Sequence, residues 1–105
     1  MEIRMAELNR LHEWLNANKD KYGWSVKRID EETESRSQHQ VVVYSAGVRL
    51  WDAVCHRGSY GCELGLLETY GDIVDESRAG DSVEGYLTAE DVIERIHERY
   101  DIKVV

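Results

Sequence analysis

The segment Leu50–Gly71, LWDAVCHRGSYGCELGLLETYG, changes its hydrophobic period partway along, and that change constrains the whole chain. Its first half alternates. Leu50, Asp52 and Val54 fall on one side of an extended backbone, and Trp51, Ala53 and Cys55 fall on the other. The alternation breaks at Arg57-Gly58-Ser59-Tyr60-Gly61, and Leu64, Leu66 and Leu67 follow at helical spacing. The pattern predicts a strand feeding a helix that starts near Tyr60, with Ser59 as its cap and Gly71 as its stop. At 105 residues the chain has the length of one domain, residues 1–105.

The flanks extend the same reading. His39–Ala46, HQVVVYSA, is the clearest strand, rich in Val and Tyr. Ser45-Ala46-Gly47 turns the chain, with Gly47 suited to a left-handed backbone, and Val48–Cys55 returns. Residues 39–55 therefore form a hairpin, and Trp24, Val26 and Ile29 mark a third, antiparallel strand over residues 24–29. Residues 2–20 carry Ile3, Leu8, Leu11 and Leu15 at helical spacing. Asp30–Gln38, DEETESRSQ, has no apolar residue and reads as a solvated connection. Downstream, Ile73 and Val74 return to the core, Asp75–Ser82 is a polar loop, and Val83–Leu87 is a short extended piece. Thr88 opens a last helix with Asp91 placed to answer it, a variant of the capping box. Val92, Ile93, Ile96 and Tyr100 give that helix its buried stripe, and an apolar tail, Ile102–Val105, follows. The expected fold is α+β: an N-terminal helix, a three-stranded antiparallel sheet, and two C-terminal helices packed on one sheet face.

Charge decides which functions survive. The net charge is −8, and residues 68–98 hold ten acids against only Arg78 and Arg95. Direct nucleic-acid binding needs a basic footprint, and an anionic membrane surface attracts the same sign, so both are excluded. No apolar run approaches the ~20 residues of a membrane span. The first fifteen residues contain acids and lack a small-residue cleavage site, so they do not read as a signal peptide. Cys55 and Cys62 then read as free thiols of a reducing compartment.

Three constellations hint at chemistry and each is incomplete. Cys55-His56 has the residue types of a nucleophile and its base, but neighbours on a strand point to opposite faces. Cys55, His56 and Cys62, with His39 in reserve, offer metal-ligand types without the close cysteine pair that zinc sites use. Arg57-Gly58-Ser59-Tyr60-Gly61 resembles an anion-holding loop before a helix, but it lacks the lysine of a phosphate loop. His12, beside the first apolar stripe, reads as a boundary residue. No catalytic, cofactor or metal residue is assigned, and no pair among the twenty-one carboxylates can be tied to a pocket.

The acids themselves are the remaining signal. Glu90, Glu94 and Glu98 stand four apart on the last helix, and Glu68, Asp72, Asp75, Glu76, Asp81 and Glu84 lie upstream. Like charges at that spacing cost an isolated helix roughly 0.2–0.5 kcal/mol each. Two readings compete. One is a solvated face that keeps the protein soluble. The other is a partner-binding surface formed by these nine residues and fitted to a basic groove, where carboxylates meet the Lys and Arg that would otherwise hold phosphates.

The runs GSYG, GLLETYG and VEGYLTAEDVIERI resemble small accessory proteins encoded by bacteriophages and prophages of Gram-positive bacteria, over roughly residues 40–98. Some small acidic phage proteins, anti-CRISPR proteins among them, inhibit host defence enzymes by occupying the nucleic-acid channel. The resemblance implies a non-enzymatic inhibitor in the host-cell cytoplasm, with a basic host protein such as a CRISPR effector nuclease as partner and no cofactor. The order of elements is also similar to a double-stranded-RNA-binding domain, whose basic face this chain lacks. Two alternatives stand beside the inhibitor: a self-associating structural or regulatory phage component that uses exposed Tyr and Trp, and an enzyme or metal protein that uses Cys55, His56 and Cys62.

Overall fold

Val41, Val43, Trp51, Ala53 and Leu67 recur at every second residue and are fully buried, which sets one face of a sheet inward. The computed structural model describes residues 4–101. The chain runs α1 (Ala6–Tyr22), β1 (Trp24–Glu32), β2 (Ser37–Ser45), β3 (Val48–Val54), a 3₁₀ turn (Cys62–Leu64), β4 (Leu67–Gly71), α2 (Glu76–Ala79), β5 (Val83–Leu87) and α3 (Ala89–Tyr100). The strands make one antiparallel sheet in sequence order, β1-β2-β3-β4-β5.

Both long helices cover the same face. Leu8, Leu11 and Leu15 of α1 and Val92, Ile93 and Ile96 of α3 join the sheet residues in one core. Gly23 ends α1 in the left-handed conformation, φ 71°, its amide donating to the Asp20 carbonyl. Thr88 and Asp91 form the full capping box at the start of α3. The chain has no Phe, and Trp and Tyr fill the core instead. Trp24 sits at their centre, stacked on Tyr22 at 4.4 Å and edge-on to Trp51 at 5.9 Å and Tyr100 at 5.0 Å. The phenol of Tyr100 reaches outward and donates to Asp72 Oδ2 at 3.0 Å.

The sheet has five strands where three were expected, because residues 60–71 do not form a helix. Gly61 and Gly65 take φ of 96° and 73°, which interrupts any helix after one 3₁₀ turn. Beyond them Leu67 and Thr69 point inward while Glu68 and Tyr70 alternate with them, and Ala53 pairs with Thr69, Trp51 with Gly71. The leucine spacing fits a helix over a few residues, but strand pairing with β3 on one side and β5 on the other gives the backbone its hydrogen-bond partners and prevails. Gly71 is a point of close approach within the sheet: a Cβ there would lie 2.7 Å from the Leu50 carbonyl oxygen. Of the two C-terminal helices expected, only α3 is present at length. The polar loop before it holds α2, a single turn capped by Asp75, which accepts from the Ser77 amide at 3.1 Å.

The polar stretch after residue 29 is also strand. The β1–β2 ladder continues to Glu32↔Ser37 and leaves only residues 33–36 in the turn. Charge supports this hairpin in place of apolar burial. His39 sits between Asp30 and Glu32 at 3.0 and 3.3 Å. Arg57 donates to the carbonyls of Thr33 and Glu34 at 2.6 and 3.3 Å. Ile3 and the tail 102–105 lie outside the described residues. No helix among the described residues is long and apolar enough to cross a membrane.

Candidate protein-binding site

Glu68 is a carboxylate in the sheet with only 3% of its surface exposed. Burying an unpaired charge is costly, so its partners explain its place. The Tyr60 amide donates to Oε2 at 2.8 Å, and the Tyr70 hydroxyl donates to Oε1. Glu68 thereby pins the loop that follows β3 down onto the sheet. Ser59, expected as a helix cap, closes the turn instead: its hydroxyl accepts from the His56 amide and donates to the His56 carbonyl.

The neighbouring strand is bulged opposite Glu68. Leu67 pairs with Leu87 and Thr69 with Glu84, so Gly85 and Tyr86 together face one residue. Tyr86 adopts φ 60°, a conformation a bulky residue rarely takes, at a cost of order 1–3 kcal/mol. Its amide donates to the Tyr60 carbonyl at 3.3 Å. Two glycines make the approach feasible. A Cβ on Gly85 would stand 2.5 Å from the Tyr60 Cβ, and one on Gly61 would stand 2.9 Å from the Leu66 Cβ and 3.2 Å from the Tyr86 Cα. The result is a pair of rings turned to solvent, 56% and 61% exposed, with centroids 6.3 Å apart and planes 16° from parallel. They border a depression of about 420 Å³ that Arg78, Asp81 and Glu84 also line.

Eight of the nine acids singled out in the sequence fall into three groups, and the ninth, Asp75, caps α2. Glu68 is internal, so it is a positioning residue and not a contact surface. Asp72, Glu84, Glu90 and Glu98 are engaged by arginines. Arg99 meets Asp72 at 3.1 Å, Arg95 grips both oxygens of Glu84 at 3.1 and 3.3 Å, Arg78 meets Glu98 at 2.6 Å, and Arg10 pairs with Glu90. The arginines hold the Asp72 and Glu98 carboxyls below their ordinary range, and hydrogen bonds from Ser77 do the same for Asp75. Glu76, Asp81 and Glu94 are exposed and have no ion-pair partner among the described residues. The acids and arginines link α2, β5 and α3 into one charged side of the molecule, with Tyr60 and Tyr86 at its border. Neither the aromatic pair nor the role of Glu68 was anticipated. The signal was the glycine at 61 and the Gly85-Tyr86 step, which mark close backbone approaches but not what approaches them.

The other constellations fall apart or serve the fold. Cys55 is buried, its thiol donates to the Arg4 carbonyl at 3.4 Å, and burial pushes it up to about 11, so it stays protonated at neutral pH. Cys62 is buried in the same core, whereas His56 lies outside it, and His39 is committed to the hairpin carboxylates. Arg57 is spent on the same hairpin and no helix of useful length follows its loop. A second concavity, of about 520 Å³, is lined by Gln40, Asp52 and Val54, whose side chains alternate with those facing the helices. Its buried Asp52 is raised by loss of solvent despite Arg49 at 3.0 Å. No group of three or more His, Cys, Asp or Glu among the described residues is placed to hold a metal ion.

Comparison with family models, with curated proteins and with solved structures gives no significant match for this chain.

Proposed function

We propose that the chain is a non-enzymatic binding module whose α2–β5–α3 side docks on a basic protein. Its most concrete form is an inhibitor, of the kind phages encode, that occupies the basic groove of a nucleic-acid-handling enzyme of the host, such as a CRISPR effector nuclease. One observation carries the reading. Among the described residues, Glu76, Asp81 and Glu94 have no ion-pair partner, on a side where Arg78, Arg95 and Arg99 are already engaged, in a chain of net charge −8. Free carboxylates on a rigid, net-negative frame steer a positive partner and set its orientation. The structure sharpens which acids to test. Reversing Glu90 or Glu98 would set a lysine against Arg10 or Arg78 and break an exposed ion pair, whereas Glu76, Asp81 and Glu94 can change without breaking one among the described residues.

The test is competition with nucleic acid. A partner recovered from host lysate is assayed for nucleic-acid binding with and without the protein. The native chain displaces the nucleic acid, and displacement weakens steeply as salt rises. The triple variant Glu76→Lys/Asp81→Lys/Glu94→Lys, with net charge −2 after three reversals of −8, folds and fails to displace it. A folded triple variant that competes as well as the native chain ends the proposal.

A second reading has its own observation: Tyr60, Leu64 and Tyr86 are all more than half exposed, and the rings of Tyr60 and Tyr86 stand side by side. Apolar patches of this sort also serve self-association. Light scattering over a concentration series separates the two. A dimer whose affinity ignores salt favours self-association.

A further inference from the structure

Resting on the reading of a basic partner, we infer that Tyr60 and Tyr86 form an anchor for an arginine side chain of that partner. A guanidinium is planar and weakly hydrated, with donors along its edge and a face that stacks on aromatic rings; an ammonium shares only the charge. The site offers both halves of that match. Two nearly parallel rings, 16° apart in plane, present their surface to solvent. Asp81, without a cation among the described residues, lines the same depression and stands ready for the edge donors, while Glu84 already holds Arg95.

The construction of the pair argues for use. An exposed tyrosine needs no explanation by itself. Here the ring positions depend on a buried carboxylate, a bulge, a positive φ at Tyr86 and two glycines with no room for a side chain. Strain at a residue whose ring packs into no core is retained for what the ring does outside. Tyrosine and arginine, with tryptophan, are also the residues enriched among those that dominate interface energetics.

The test uses labelled nona-arginine and nona-lysine peptides as probes, measured by fluorescence anisotropy against the full chain at low salt. The expected result is a preference for arginine of about threefold or more, the size of one exposed ring contact. The chemical shifts it moves should centre on Gly61, Gly85 and the two tyrosines. Tyr60→Leu/Tyr86→Leu keeps the apolar bulk, removes the aromatic faces and abolishes the preference, leaving lysine binding as in the native chain. Tyr86→Gly relieves the backbone, so it folds in any case, and it lowers the preference as well. Equal binding of the two peptides, or a preference that survives in both variants, overturns the anchor and leaves the basic-partner reading standing. Failure of the native chain to bind either peptide overturns both.

Discussion

The molecule builds two aromatic clusters from the same residue types and treats them in opposite ways. Around Trp24 the rings of Tyr22, Trp51 and Tyr100 meet within 6 Å; the two tryptophans are buried and the two tyrosines partly so. At the far end of the sheet Tyr60 and Tyr86 meet at 6.3 Å and stay in water. The first cluster gains its stability from burial, and its backbone is ordinary. The second gains little from burial, and its backbone is strained at Tyr86. The contrast separates what holds the fold from what the fold holds out.

The widest gap between them should appear on truncation. Trp24→Ala removes a large side chain from the centre of the core and should cost about 3–5 kcal/mol. That is a large share of the roughly 5–15 kcal/mol typical of a domain. Tyr60→Ala should cost below about 0.5 kcal/mol, as exposed substitutions do. Urea denaturation measures both. Comparable losses at the two sites would erase the distinction.

Glu68 supports the exposed cluster from within the fold. Its carboxylate accepts from the Tyr60 amide and the Tyr70 hydroxyl inside the protein. Glu68→Ala leaves a buried donor unsatisfied and should cost about 1–3 kcal/mol. It should also release the loop, seen as faster hydrogen exchange at Tyr60 and Tyr86, while amides of β1 and β2 keep their protection. Unchanged exchange at residues 60 and 86 would show that the loop is held by something else.

Much of the Trp24 side of the molecule was legible in the sequence, and almost none of the Tyr60 side was. The hairpin over residues 39–55, the antiparallel third strand, the α1 stripe and the Thr88 cap all depend on neighbours a few residues apart. Local periodicity carries that information. The reading failed where long-range pairing chose between local options. Leu64, Leu66 and Leu67 fit a helix, and only the ladder from β4 to β3 and β5 makes Glu68 and Tyr70 alternate with buried neighbours. The solvated stretch after residue 29 failed similarly: strands need no apolar side chains where cross-strand charges serve, as His39 does between Asp30 and Glu32. A sequence count of acids also hides their partners. Arg10 and Arg78 sit far along the chain from Glu90 and Glu98, so an apparent run of negative charge is partly neutralised in space. Tyr60 and Tyr86 meet only because a bulge and two glycines bring distant segments together, and no period in the sequence encodes that.

Strain gives a smaller effect with a telling sign. Tyr86→Gly removes an aromatic residue, which ordinarily destabilises a strand. At φ 60° glycine pays no steric cost, so the variant should match or exceed native stability, by up to about 1 kcal/mol. The same substitution at Trp24 would be ruinous. A clear loss of stability in Tyr86→Gly would mean that the ring supports the fold after all.

The smallest effect lies at alkaline pH, where the buried cluster has ionisable members. Burial, and then the Asp101 carboxylate beside it, pushes the Tyr22 phenol up to about 12, and burial raises Tyr100 as well, with Asp72 adding to it. A folded value above the unfolded one, about 10, fixes the sign. The contribution of these phenols is fully present below pH 10 and declines as pH rises through 12. Native protein should therefore show phenols that titrate late at 295 nm, followed by loss of fold, and Tyr22→Phe should remove one of the late phenols and extend the fold's alkaline limit. Asp101 gives the mirror image: contacts with Tyr22, His97 and Lys21 hold it at about 2, so its contribution appears above the ordinary carboxylate range and fades as pH falls toward 2. If all six phenols titrated together near 10 with the fold intact, the cluster around Trp24 would be open to water, and the two aromatic sites would differ in geometry alone.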